Sequence, residues 1–247
     1  MGEAVRARSA FTDGYCWLSG VAGFVDAACF LGLSSVFTAH VTGNIAALAS
    51  AFAKPSPETL LRLNVLFSFG AGVVLCCLAA RRARPCVRRL VLLQLEATPL
   101  ALLVLVQPLF VGTPLMRVAV ATLAGAAMGC QAALNKTGAF ARQPTTVMTS
   151  NFTHWVALFV LPADPEQPPS ERREAHLRLT CCLAAFCAGA ALGALLQNEM
   201  GFWSLVAPLA ALLALAYSEG CAVRFAECAG NGAAPRGTQA GHGDDAI

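Results

Sequence analysis

The chain has 247 residues, 57% of them hydrophobic and only 13% charged, with a mean hydropathy of +0.62. A soluble domain of this length cannot cover itself with so little polar surface, so the composition excludes one and describes a multi-pass membrane protein. The net charge of +3 fixes little by itself, because orientation follows where Lys and Arg fall relative to the spans.

Residues 1–13 carry Arg6, Arg8 and Asp13 and read as a cytoplasmic N-terminus. The apolar stretch that follows is longer than a signal-peptide core, which predicts a retained first span over 14–33. Apolar segments 36–53, 61–80 and 90–107 complete a first membrane repeat, 14–107. Segments 115–135, 145–161, 177–197 and 202–220 complete a second, 108–221. Within the second repeat, 162–175 is Pro-rich with four acids and reads as a cytoplasmic linker. Residues 222–247 are rich in Gly and Ala and are expected to form a disordered cytoplasmic tail.

The two sets of four repeat each other. Gly23-Phe24-Val25-Asp26-Ala27 leads to Thr42-Gly43-Asn44, and Met128-Gly129-Cys130-Gln131-Ala132 leads to Thr149-Ser150-Asn151. Pro55 and Pro162 follow the two triplets at equal distance. The third segments open alike (Leu61-Arg62-Leu63-Asn64, Leu177-Arg178-Leu179-Thr180), and the fourth share Pro99-Leu100-Ala101 and Pro208-Leu209-Ala210. Four matches in the same order describe a duplication.

Charge then decides how many segments cross. With eight crossings, the 17 Lys and Arg residues divide 10 to 7, which is almost no bias. If the second and sixth segments enter and leave on one side, only Lys54, Arg62 and Arg117 fall outside and the other 14 lie within. The positive-inside rule therefore favours six crossings with both termini cytoplasmic, in a plasma or inner membrane. Length agrees: the helical parts 45–53 and 152–161 rise about 15 Å, half of a ~30 Å hydrocarbon core. The expected fold is an all-α integral membrane protein, with six transmembrane helices plus two re-entrant half-helix hairpins. Three crossings per repeat is an odd number, so the halves form a 3+3 inverted repeat.

In such hairpins Thr42, Gly43 and Asn44, and Thr149, Ser150 and Asn151, lie at the tips. There they serve as caps and present free N–H groups to a polar or anionic solute, with Gly43 allowing unusual backbone angles and inversion bringing the two tips together. Asp26 is an acid inside the first span, either a pathway carboxylate or a hydrogen-bonded anchor for the hairpin that follows. Its counterpart is Gln131. His40 and His154 flank the tips and could relay protons. Glu96, about two turns from Arg88 and Arg89, is expected to pair with that cluster or with a neighbouring helix. Asn64, Asn135 and Gln107 read as helix-to-helix bonds, and Gly189 and Gly193 as close-packing positions. Most of the 11 cysteines sit in apolar runs and read as packing. No metal, cofactor or catalytic constellation is visible.

The segment Ser19-Gly20-Val21-Ala22-Gly23-Phe24-Val25-Asp26-Ala27, with Val36-Phe37-Thr38-Ala39-His40-Val41-Thr42-Gly43-Asn44, resembles the opening of the YoaK-like multi-pass membrane proteins, domain-of-unknown-function family 1275. Met128 to Ala132 and Thr145 to Thr149 resemble that family's second half, although Thr149-Ser150-Asn151 stands where the family more often has Thr-Gly-Thr. The resemblance implies a mostly bacterial membrane protein and supplies no substrate. The leading expectation is a transporter or channel for a small polar or anionic solute, at the interface of two inverted repeats. The alternative is a non-transporting scaffold or assembly protein. Partners are the lipid bilayer and a small solute, with a homodimer allowed and no nucleic acid expected; no enzyme activity is expected.

Overall fold

In the computed structural model, residues 14–137, 144–162 and 168–232 are described, and among them every regular element is helical. The helices are α1 (Tyr15–Gly32), α2 (Val41–Ser50), α3 (Thr59–Arg82), α4 (Arg88–Phe110), α5 (Pro114–Leu134), α6 (Met148–Val160), α7 (Pro169–Met200) and α8 (Val206–Gly232). A short 3₁₀ turn, Gly201–Leu205, joins the last two, and Gly201 sits at φ 58°, in the left-handed region that favours glycine. Five stretches are long and apolar enough to cross a membrane: α1, α3, α4, α5 and the continuous run Pro169–Arg224. That last run has 56 residues, more than twice the ~20 of one span, and is broken by the Gly201 turn.

α1 is the centre of the protein. Its apolar residues Leu18, Ala22, Val25 and Ala28 are wholly covered, and the described core is built around them and their counterparts on α5, such as Val120, Ala124 and Ala127. The partners are exchanged between halves. α1 packs most extensively on α7, the third helix of the second half, whereas α5 packs on α3, the third helix of the first. Both crossings depend on glycine. A Cβ on Gly189 would stand 2.1 Å from the Gly20 carbonyl oxygen, and one on Gly193 would stand 2.4 Å from that of Phe24. Across the other pair, a Cβ on Gly129 would stand 2.1 Å from the Phe69 carbonyl, and one on Gly72 would stand 2.2 Å from that of Ala126. Backbones this close gain dispersion contact that lipid tails cannot supply. Asn64 adds a helix-to-helix bond, donating from Nδ2 to Thr122 Oγ1 at 2.8 Å.

The short helices α2 and α6, of 10 and 13 residues, rise about 15 and 20 Å. Beside α2, the chain leaving α1 and the chain entering α3 meet. Arg117, at the start of α5, donates to the Leu33 carbonyl (3.1 Å) and Ser34 Oγ (3.0 Å) and lies 3.8 Å from Glu58. Arg62 donates to Ser56 Oγ (3.0 Å) and the Ser35 carbonyl (3.4 Å). These bonds hold a bend in which two consecutive non-glycine residues, Ser34 and Ser35, adopt φ values of 57° and 66°. The Ser56 hydroxyl also holds the Glu58 carboxyl below its ordinary value, with Arg62 and Arg117 adding to the effect.

Several boundaries differ from expectation. α7 begins at Pro169, inside the stretch expected as linker, because Ser170 to His176 contains strong helix formers that follow a proline suited to a first turn. α8 continues to Gly232, past 222, where the tail was expected to start; residues 233–247 lie outside the described set. Glu96 does not pair with the arginine cluster. It is fully covered on the inner side of α4 and neither carboxyl oxygen has a partner, with Cys76 of α3 and Cys130 of α5 within electrostatic reach. Arg89 instead lies 3.3 Å from Glu219 on α8.

Because the crossings leave no room for a methyl group, Gly189→Ala should destabilise the protein by about 1–3 kcal/mol. A Cβ on Gly70 would meet nothing within 4 Å, so Gly70→Ala should be close to neutral. Unfolding of the two variants in detergent checks this, and equal stabilities would contradict the close-packed crossing.

Candidate functional site

The irregular chain between α1 and α2 is organised by one carboxylate. Asp26, buried in α1, accepts the backbone N–H groups of Thr38 and Ala39 at Oδ1, both at 2.8 Å, and its Oδ2 makes a short hydrogen bond with His40 Nδ1. Two otherwise orphaned amides of a non-helical segment are thereby satisfied by a side chain twelve and thirteen residues earlier. Asn44 closes the loop from the other end. Its Nδ2 donates to the Phe37 carbonyl (2.7 Å) and its Oδ1 accepts the Phe37 N–H (3.2 Å).

The second half places a neutral amide at the same point but uses it differently, since Gln131 donates rather than accepts and its Oε1 has no partner among the described residues. Gln131 Nε2 donates to Thr145 Oγ1 (3.0 Å) and to the Leu18 carbonyl of α1 (2.5 Å), and Asn151 Nδ2 donates to the Pro144 carbonyl (2.7 Å). Phe37, Thr38 and Asn44 thus match Pro144, Thr145 and Asn151 position for position. Pro144 has no N–H, so the bond that Phe37 gives back to Asn44 has no counterpart.

The triplets are not helix caps. α2 starts at Val41 and α6 at Met148, placing 42–44 and 149–151 in the first helical turn, and neither helix has a side-chain cap. Asn44 and Asn151 turn back onto the preceding loop instead. Gly43 has ordinary helical backbone rather than unusual angles; its smallness matters because a Cβ there would stand 3.2 Å from the Phe37 ring. Nor do the two tips meet: no residue of α2 lies within 8 Å (Cα to Cα) of α6. Thr42, Thr149, Ser150 and His154 are exposed on the outer faces of the two short helices, away from the Asp26 and Gln131 bonds.

Asp26 and His40 form one wall of a cleft of about 290 Å³ between α1 and α7. Phe30, Phe37 and Phe186 line it, and small residues on both helices, Gly23, Ala27, Ala190 and Ala194, leave the space. The His40 ring lies 5.2 Å from the Phe37 ring centroid and 6.2 Å from that of Phe186. Its side chain is one-third exposed, against 4% for Asp26. The imidazole is therefore the accessible end of the pair, and the carboxylate orients it.

A protein-family model matches residues 15–218. The chain belongs to the DUF1275 family. That family is described as proteins of unknown function, so membership establishes kinship and supplies no activity. No curated protein and no solved structure matches the chain.

Sequence reasoning singled out Asp26, His40, Asn44, Gln131 and Asn151 and missed Thr38, Thr145 and Phe186. The six-residue spacing from Thr38 to Asn44 recurs from Thr145 to Asn151 and was the available signal for the threonines. Phe186 carries no polar signal and enters the site only through the α1–α7 crossing. Removing the Asp26 carboxylate leaves two buried N–H groups unpaired, so Asp26→Ala should destabilise by about 2–5 kcal/mol. Asp26→Asn keeps an oxygen acceptor and should cost less. Unfolding midpoints for the two variants check the order.

Proposed function

We infer that this member of the DUF1275 family is a membrane transporter for a small polar or anionic solute, and that the cleft beside Asp26 and His40 is part of its pathway. The carrying observation is an acid–imidazole pair within the helical bundle whose imidazole faces open space between helices of different halves. An intramembrane ionisable pair that served packing alone would be closed off on both sides. His40 Nε2 has no hydrogen-bond partner among the described residues, and it can donate to a solute carboxylate when protonated or accept a solute hydroxyl when neutral.

The exchanged pairing of α1 with α7 and α5 with α3 is what two related halves would produce, and in the inverted-repeat reading a two-fold axis in the membrane plane would relate those crossings. The Arg62 bond to Ser35 and the Arg117 contacts with Leu33, Ser34 and Glu58 support α2 as re-entrant. A crossing segment would carry residues 35 and 56 to opposite faces. With α7 and α8 as separate spans, six crossings follow, with both termini on the arginine-rich, cytoplasmic side.

One observation favours the scaffold reading: Asp26 spends both oxygens on its own hairpin. His40 separates the two. In proteoliposomes loaded with a pH-sensitive dye and offered small carboxylates, amino acids and sugars in turn, the wild type should show a proton flux with one class. His40→Asn, which keeps an N–H donor for Asp26 Oδ2 but has no titratable ring, should lower it about tenfold or more, the effect of losing a ~1.4 kcal/mol interaction, with little change in the unfolding midpoint. No flux from the wild type with any class would leave the scaffold. Independently, single cysteines at Lys54 and Arg84 should label from opposite faces, outer and inner, and cysteines at Pro57 and Ser170 should also differ; labelling of Pro57 and Ser170 from one face would contradict six crossings.

A further inference from the structure

A second cleft, of about 330 Å³, lies where the end of α3, the start of α4 and the end of α5 come together. It is lined by Cys77, Ala80, Arg81, Arg88, Lys136 and Thr137, three cations with no acid among the described lining residues. Three arginines elsewhere in the described chain lie beside acids: Arg89 with Glu219 at 3.3 Å, Arg178 with Glu174 at 3.0 Å and Arg117 with Glu58 at 3.8 Å. Arg81, Arg88 and Lys136 have no carboxylate within 4 Å among the described residues, and the Arg88 Nε is covered without a hydrogen-bond partner.

Helix ends do not neutralise this charge. The C-termini of α3 and α5 each offer about half a negative charge, while α4 opens at Arg88 with no side-chain cap and contributes about half a positive one, leaving roughly two and a half positive charges. The positive-inside preference accounts for basic residues at this end of the bundle. It does not account for three of them lining one cleft unpaired, where a bound anion would relieve their mutual repulsion.

We propose that this cleft binds a phosphate group. Arg88 and Arg81 supply planar N–H donors suited to phosphate oxygens, Lys136 a point charge and Thr137 a hydroxyl. The apolar floor of Cys77 and Ala80 on α3 suits the glycerol end of a phospholipid, and a free phosphate satisfies the same cations. The cleft is separate from the Asp26 and His40 site, and occupancy here requires no transport.

The test uses the full-length protein in a neutral detergent, with unfolding midpoints read against concentration for dioctanoyl phosphatidic acid, dioctanoyl phosphatidylcholine and inorganic phosphate at matched ionic strength. Saturable stabilisation by phosphatidic acid, at concentrations at least about tenfold below those at which phosphatidylcholine acts, is expected, and Lys136→Gln should weaken it by about tenfold. Stabilisation by phosphatidic acid alone identifies a lipid headgroup as the source; equal stabilisation by inorganic phosphate identifies the soluble anion. Arg82→Gln with Arg84→Gln removes two charges from the same end without touching the cleft lining and should leave the response unchanged. The Lys136 side chain is exposed, so Lys136→Gln should fold, and its midpoint without ligand verifies that. No stabilisation by either phosphate compound, or an equal loss in the Arg82 and Arg84 variant, would overturn the proposal.

Discussion

Asp26 accepts two backbone amides from a segment that cannot be helical, and the rest of the first half depends on that exchange. In a bilayer an unpaired N–H costs several kcal/mol, so a non-helical stretch persists only if protein groups take up its hydrogen bonds. Residues 33–40 contain two left-handed serines and lead into the short helix α2, which has no side-chain cap. Asp26 takes the Thr38 and Ala39 amides, Asn44 takes both polar groups of Phe37, and Arg117 takes the Leu33 carbonyl. With those groups satisfied, α2 can stop short and the cleft beside it remains open.

The second half fastens its loop with neutral groups, and Gln131 donates there instead of accepting loop amides. A neutral amide replaces the carboxylate, proline removes one bond of the asparagine clasp, and Gln131 reaches across to the α1 backbone. Charge-assisted bonds are roughly twice as strong as neutral ones, so the two loops are alike in outline and unlike in how firmly they are bonded. An imidazole beside the acid occurs only in the first. If the halves move against each other, the proton chemistry belongs to one side of that motion.

The elements that were legible in the sequence were those with strong, simple signals. Apolar length placed α1, α3, α4 and α5 within two or three residues, and the duplicated triplets marked both short helices. Asp26 drew notice because ionised groups are costly in lipid, and Asn44 because it interrupts an apolar run. Contacts between distant segments were not legible. Nothing in Glu96 shows whether its helix turns it toward Arg89 or inward toward Cys76 and Cys130; a rotation of the helix decides, and packing sets the rotation. The same applies to the expected meeting of the two tips, since a repeated sequence does not bring its copies into contact, and α2 and α6 stay apart. The start of α7 was missed because the prolines at 168 and 169 mark a helix's first turn as well as a linker.

The exchange of partners between halves also governs how the protein is made. α1 leaves the ribosome before α7, carrying an acid and a face meant for backbone-to-backbone contact, and its main partner α7 follows 137 residues after α1 ends, counting from Gly32 to Pro169. At about 5–20 residues per second that is a wait of roughly 7–27 s. During that time Asp26 can fold its own hairpin, but the Gly20 to Phe24 face meets only lipid or the insertion machinery. The packing of the first half is therefore complete only once α7 has been made.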